Sequence, residues 1–148
     1  MSETKTFAPD IPRENGLLIL PRDVEWRKDL YGPDVIQHPA KMQLWIPRLV
    51  LEYYAQPGWK VLDPFAGTGT TALAATYGYA TTLIELEPHF MDLLKAVRRK
   101  WVEEKTIDNV SQVTIMQGDC RRVLPELAEG SFDCIITSPP YSVTAQVG

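Results

Sequence analysis

The sequence predicts an α/β fold: a parallel sheet with helices on both faces. Three observations predict it. Four short apolar runs, at 60–63, 81–85, 113–117 and 132–137, read as buried strands. Between them lie segments whose apolar residues recur at helical spacing, so strands and helices alternate as right-handed crossovers require. A glycine pair, Gly67 and Gly69, directly follows the first of these strands, where a tight turn lets backbone come close to a ligand.

Residues 1–37 are polar and rich in proline, with Pro9, Pro12, Pro21 and Pro33 interrupting any long helix. They read as an N-terminal arm with short ordered pieces, pinned to the body by Trp26 and Tyr31. Residues 38–148 read as the core. A lead-in helix over about 40–55 is expected from Met42, Trp45, Ile46, Leu49, Val50 and Tyr53, which share one helical face. Pro57-Gly58 ends it. A small-residue helix over 70–77 follows the first core strand, stopped at Gly78. A longer helix over 87–104 carries Phe90, Leu93, Leu94, Val97 and Trp101 on one face. A short helix over 121–129 precedes the last strand.

The length of 148 residues fits one domain, and 45% hydrophobic with 23% charged residues is ordinary for a globular chain. No apolar run approaches the roughly 20 residues that span a bilayer, and the first ten residues lack a signal-peptide pattern. Cys120 and Cys134 stand far apart with no Cys-x-x-Cys spacing, so they read as reduced thiols in a cytoplasmic protein. A formal net charge of −4 argues against a chain dominated by phosphate contacts. The cluster Arg98-Arg99-Lys100 lies beside Glu103 and Glu104 and reads as a solvated helix face.

In such folds ligands bind beyond the carboxyl ends of the strands. The four strand ends should therefore meet in one crevice. The first reads Asp63-Pro64-Phe65-Ala66-Gly67-Thr68-Gly69-Thr70-Thr71. It lacks the third glycine of the dinucleotide pattern, Ala72 standing there, and it lacks the lysine of a phosphate loop. Taken alone it is equally a plain strand-to-helix turn. Asp63 can receive an ammonium, and Phe65 can cover a sulfonium. The second strand ends at Glu85-Leu86, eighteen residues beyond Gly67, where an acid can accept both hydroxyls of a ribose; a surface carboxylate is the plainer reading. The third ends at Gly118-Asp119-Cys120, where Asp119 can accept from an adenine amino group or cap a helix. The fourth ends at Ser138-Pro139-Pro140-Tyr141. Prolines leave carbonyls without competing local donors. Ser138 and the Pro139 carbonyl can hold an amino group, and Tyr141 offers a stacking face.

The first and fourth strand ends together resemble the amino-methyltransferases of DNA, which act on N4 of cytosine or N6 of adenine. The resemblance runs from about His38 to Tyr141, and His38-Pro39-Ala40-Lys41 resembles the segment bordering the methionine end of the cofactor in many members. It implies a Rossmann-like class I methyltransferase sheet and S-adenosylmethionine as cofactor. By it the glycine loop holds the methionine part, with His38 and Lys41 bordering it, Glu85 binds the ribose and Asp119 the adenine, Leu86 and Cys120 belong to the same cofactor site, and Ser138 to Tyr141 hold the target base. Ser138 at the head of the catalytic motif points to cytosine N4 rather than adenine N6. The implied chemistry needs no metal: the cofactor carries an activated methyl, and the protein orients the amino nitrogen. A base in DNA must leave the helix to reach such a pocket.

The chain stops seven residues after Tyr141, with four strands where the family has seven and no region for reading DNA sequence. The expectation is a truncated, N-terminal or split piece whose partners are DNA and a complementary chain supplying the missing strands and recognition region. Its fourth strand would then be an unpaired edge. The alternatives are a non-catalytic cofactor-binding module and an RNA or protein amino-methyltransferase; a nicotinamide oxidoreductase is disfavoured by Ala72.

Overall fold

Six strands and five helices make up the described structure, a computed structural model that covers residues 11–37, 41–106 and 110–140. The chain opens with a hairpin, β1 (Arg13–Glu14) and β2 (Leu17–Leu18), paired antiparallel. Its two-residue turn is Asn15-Gly16, both at positive φ, which matches the right-handed twist of the flanking strands. Helix α1 (Val24–Tyr31) follows, then a 3-10 turn at Pro33–Gln37, and α2 (Trp45–Tyr54). Strand β3 (Lys60–Asp63) leads through a 3-10 turn at Thr70–Ala72 into α3 (Leu73–Thr76). Strand β4 (Ala80–Glu85) leads into α4 (Pro88–Glu104), whose first residue is a proline, tolerated there because its missing N–H has no partner in the first turn. Strand β5 (Val113–Gln117), α5 (Cys120–Val123), a 3-10 turn at Leu124–Glu126 and β6 (Cys134–Ile135) complete the order.

The main sheet has the order β5-β4-β3-β6, all parallel. This is the expected α/β fold. The chain winds outward from β3 through β4 to β5, then returns to lay β6 on the other side of β3. That reversal opens a crevice above the carboxyl ends of β3 and β6, the place where such sheets bind ligands.

One sheet face carries most of the core. Leu73, Leu83, Met91, Leu94, Val97 and Trp101 share a buried cluster that also takes in Leu30, Tyr31 and Val35. The stretch read as an arm thus contributes to the core. Tyr31 meets Trp101 edge to face at 5.5 Å, and the Trp101 indole donates to the Leu30 carbonyl. Burial pushes the Tyr31 phenol far above its ordinary value, so it stays a neutral donor. Trp26 stacks at a tilt on Trp45. On the opposite face Leu124 and Leu127, of and just after the turn that follows α5, border a groove with Leu62, Phe132 and Ile135. Ile135, on the edge strand, is 63% exposed.

Three boundaries depart from expectation. The lead-in helix buries Leu44, Pro47, Leu51 and Ala55 against the body, whereas Ile46 and Tyr53 are exposed. Part of the expected face, Leu49 and Trp45, packs instead with Ile11, Leu18 and Leu20 of the hairpin region. The helix is covered on two sides, so its apolar residues wrap further round than one stripe. The expected helix at 121–129 ends within two turns, because Pro125 and the extended Leu127 break it. The last strand shrinks from 132–137 to Cys134–Ile135, which pair with Val61 and Leu62 of β3. Among the described residues no helix is long and apolar enough to cross a membrane.

Candidate functional site

A cavity of about 570 Å³ lies above the carboxyl ends of β3, β4, β5 and β6, within the ~300–1,000 Å³ usual for small-molecule sites. Each strand end delivers side chains to it. From the first come Asp63, Pro64, Phe65, Ala66, Gly67, Thr68 and Thr70; from the second Glu85 and Leu86; from the third Asp119 and Cys120; from the fourth Ser138, Pro139 and Pro140. Lys41 lines it as well. His38 and Tyr141 lie outside the described residues.

Two of the expected ligand-binding residues stand behind the wall instead of in it. Gly69, at φ +84°, has no room for a side chain: a Cβ there would run into Leu94 Cδ2 of the core. Thr71 is fully buried and donates to Asp63 Oδ2 at 2.6 Å. Their role is to shape the loop. Gly118, named with its strand end, lines the cavity as well, and four further residues, Met42, Glu87, Phe90 and Arg121, line it that the strand-end rule does not point to. Phe90 was legible as part of a helix face, but its place in the first turn of the helix after a strand end was the signal for a site.

Asp63 is the hub of the loop. Its Oδ1 accepts from the Phe65 N–H at 3.0 Å and from Thr137 Oγ1 at 2.7 Å. The second of these ties the β3 loop to the residue immediately before Ser138. Burial pushes the Asp63 carboxyl above its ordinary range; the hydrogen bonds from Thr71, Thr137 and Phe65 pull it down, and the nearby Glu85 charge adds to the rise. Glu85 closes the loop from the other side. Its Oε2 accepts from the Gly67 N–H at 2.6 Å and its Oε1 from the Glu87 N–H at 2.8 Å. Both acids therefore hold backbone amides and still face the cavity, each carboxylate oxygen offering two acceptor directions.

Asp119 fulfils the helix-capping reading and also stands in the cavity wall. At the head of α5 it accepts from the Arg121 N–H at 2.9 Å. The Arg121 side chain also wraps back onto both carboxylate oxygens. These bonds hold the Asp119 carboxyl down at about 2. It therefore remains an anion throughout the neutral range, able to accept from an amino group once Arg121 shares it. Cys120 and Cys134 are both free and half-buried. Cys120 sits in the cavity wall, and burial raises the Cys134 thiol.

A match to the DNA methylase family covers residues 19–96, more than half of the sequence. The chain belongs to this family. The fold of the described residues is met again in solved structures. The TrmN structure from Thermus thermophilus superposes with a TM-score of 0.57 at 21% identity, over 77% of this chain and 33% of that one. A S-adenosylmethionine-dependent methyltransferase from Neisseria gonorrhoeae superposes with a TM-score of 0.51 at 25% identity, over 56% of this chain and 36% of that one. In sequence, a tRNA (guanine(6)-N2)-methyltransferase of Thermus thermophilus is 33% identical over 93 residues, 60% of this chain. The chain spans a quarter of the length of that relative. The Rossmann-like methyltransferase sheet is thus the fold of the described residues.

The donor set suits S-adenosylmethionine. A cationic amino acid end, a ribose diol and an adenine amino group all seek acceptors, and the cavity presents carboxylates at three strand ends with Phe65 and Phe90 beside them.

Proposed function

We propose that this DNA methylase family chain supplies the cofactor site and the amino-holding motif of an amino-methyltransferase acting on an exocyclic amino group of a nucleobase. The observation that carries this reading is the meeting of Asp63, Glu85, Asp119 and Ser138 to Pro140 in one cavity, each from a different strand end. The cofactor is S-adenosylmethionine. When bound, it supplies a methyl group already activated for transfer.

The residues divide the work. Asp63 receives the ammonium of the methionine end, with Lys41 near the carboxylate. Glu85 accepts from the ribose, and Asp119 from the adenine amino group. Ser138 and the Pro139 carbonyl draw on the protons of the target amino group, freeing its nitrogen from ring conjugation and aiming it at the methyl. Tyr141 receives the flipped base by stacking.

Two observations favour different substrates. The family match and Ser138 favour a DNA base, with cytosine N4 preferred over adenine N6. The 33% identical relative acts, by its name, on a guanine N2 of tRNA and favours an RNA base. All three acceptors are exocyclic amino groups, so one motif serves each. The DNA reading also calls for a complementary chain or further sequence to hold the duplex, because the net charge is −4.

The test has two stages. Calorimetric titration of the chain with S-adenosylmethionine should give saturable binding that Gly67→Leu abolishes. Nucleosides from DNA and from tRNA exposed to the protein and cofactor are then resolved by mass spectrometry. N4-methylcytosine in DNA supports the preferred substrate. N6-methyladenine alone would end the cytosine assignment, and N2-methylguanine confined to tRNA would move the protein to RNA. Tyr141→Ala is expected to lower the rate by about 5- to 150-fold, the worth of a base stack of roughly 1–3 kcal/mol. Cofactor affinity should stay within about twofold of the parent, and a larger loss would contradict the role given to Tyr141.

A further inference from the structure

Arg27 sits in the middle of α1, well before the glycine loop in sequence, yet it is 2% exposed. Its Nη1 donates to Thr70 Oγ1 at 2.9 Å. Its Nη2 donates to the Met42 carbonyl at 2.7 Å and pairs with Asp23 Oδ2 at 2.8 Å. Thr70 and Met42 both line the cavity, on separate segments of its wall. The same Asp23 oxygen accepts from the Leu44 N–H at 2.8 Å, fixing the Met42 segment a second time. One helical turn beyond Arg27, the Tyr31 hydroxyl donates to the Thr70 carbonyl at 2.9 Å. One face of α1 therefore grips Thr70 at both its side chain and its backbone.

Packing does not account for this arrangement. A buried guanidinium loses hydration, and Arg27 Nε has no acceptor among the described residues, a further penalty. An apolar side chain of similar volume commonly serves stability as well or better. A planar fork that spans two acceptors on two segments is what an arginine adds and what neither methionine nor lysine can reproduce.

We propose that Arg27 is a positioning residue of the cofactor site: by bridging Thr70 and Met42 it sets the spacing between two walls of the cavity, with Tyr31 as the second hold on Thr70. The assignment rests on the reading of this cavity as the S-adenosylmethionine site.

The experiment compares the parent chain with Arg27→Met, Arg27→Lys, Thr70→Val, the Arg27→Met/Thr70→Val pair and Tyr31→Phe. Two readouts are taken. Hydrogen exchange of the ligand-free chain follows the amides of residues 66–72, where Gly69 and Ala72 are hydrogen-bonded within the loop. Calorimetric titration uses S-adenosylhomocysteine as the probe. Arg27→Met is expected to speed exchange at 66–72 and weaken binding, each by about tenfold, a size usual for coupled groups, while the interior of α4 keeps its protection. Arg27→Lys should not restore either. In the Thr70→Val background the same substitution should cost clearly less affinity.

A drop in thermal stability with unchanged exchange at 66–72 and unchanged affinity would overturn the proposal and leave Arg27 a structural residue. Equal losses in both backgrounds would overturn it too. If Arg27→Met does not fold, Tyr31→Phe decides: faster exchange confined to 66–72 supports the proposal, and none refutes it. Failure of the parent chain to bind the probe would count against the cavity reading instead, and the exchange data would still say whether Arg27 sets the loop.

Discussion

Asp63→Asn is expected to weaken S-adenosylmethionine binding by about 10- to 150-fold while leaving the ligand-free chain at least as stable at neutral pH. The affinity loss follows from removing the charge that receives an ammonium, a hydrogen bond worth about 1.5–3 kcal/mol when one partner is ionised. The stability claim rests on geometry. Asparagine Oδ1 can keep the acceptor position used by the Phe65 N–H and Thr137 Oγ1. Its Nδ2 then replaces Oδ2 beside Thr71 Oγ1. That hydroxyl lies 3.2 Å from the Ile136 carbonyl and can turn its proton there, accepting from Nδ2 in return. The Phe65 amide and the hydroxyls of Thr71 and Thr137 all keep acceptors.

The sign of the pH dependence follows from the direction of the Asp63 shift. Burial raises its folded pKa above the ordinary 3.8. Below 3.8 the carboxyl is neutral in both folded and unfolded chains. As pH climbs from there through the folded pKa, the unfolded chain releases its proton first, so this group's contribution to stability is lost. Asparagine does not titrate. The melting temperature of Asp63→Asn relative to the parent should therefore rise between pH 4 and pH 7. A relative melting temperature that falls over that range would show that the ionised carboxylate, held by its three donors, stabilises the fold. Asp119 behaves oppositely: its folded value near 2 keeps its contribution intact above 3.8, and that contribution is lost as pH falls through 2.

Asp63 also shows how far the sequence could be read. Its place at a strand end before a glycine pair marked it as a site residue, and Glu85 and Ser138 were found by the same rule. What the rule reads is topology: a side chain at the carboxyl end of a parallel strand has nowhere to go but the crevice. It does not say which residues of a loop face inward. Gly69 and Thr71 belong to the same motif as Gly67 and Thr70 but turn to the core, because a left-handed backbone at Gly69 redirects the chain. The lead-in helix departs from its sequence pattern for a related reason. Its apolar residues serve two partners, the sheet and the hairpin region, and a single-face pattern cannot represent both. The hairpin carries a strong turn signal at Asn15-Gly16, but only the strand after it, Leu17–Leu18, is apolar, while Arg13–Glu14 before it is polar and shows no strand pattern. Arg27 carried no local signal; its partners are distant in sequence, and only the packed structure brings them together.

Gly69→Ala is expected to destabilise the chain by about 2–5 kcal/mol, a large part of the ~5–15 kcal/mol typical of a domain. Two effects combine. A left-handed backbone costs a residue with a Cβ about 1–2 kcal/mol, and the Gly69 φ of +84° lies in that region. The added Cβ would also overlap Leu94 Cδ2. The tip of a leucine can often swing aside, but Leu94 is 2% exposed within the main core cluster and has no free space to enter. Overpacking of this kind costs about 1–3 kcal/mol. Urea unfolding should show a lower midpoint with an unchanged slope. A double-mutant cycle with Leu94→Ala separates the two effects. Leu94→Ala alone leaves a cavity and should cost about 2–5 kcal/mol; with that cavity present, the new Cβ has room, and Gly69→Ala should cost only its backbone share. Strictly additive losses would mean that Leu94 does not limit the turn. A neutral Gly69→Ala would mean that the loop before α3 does not need its left-handed residue, and Gly69 would return to the ligand side of the wall.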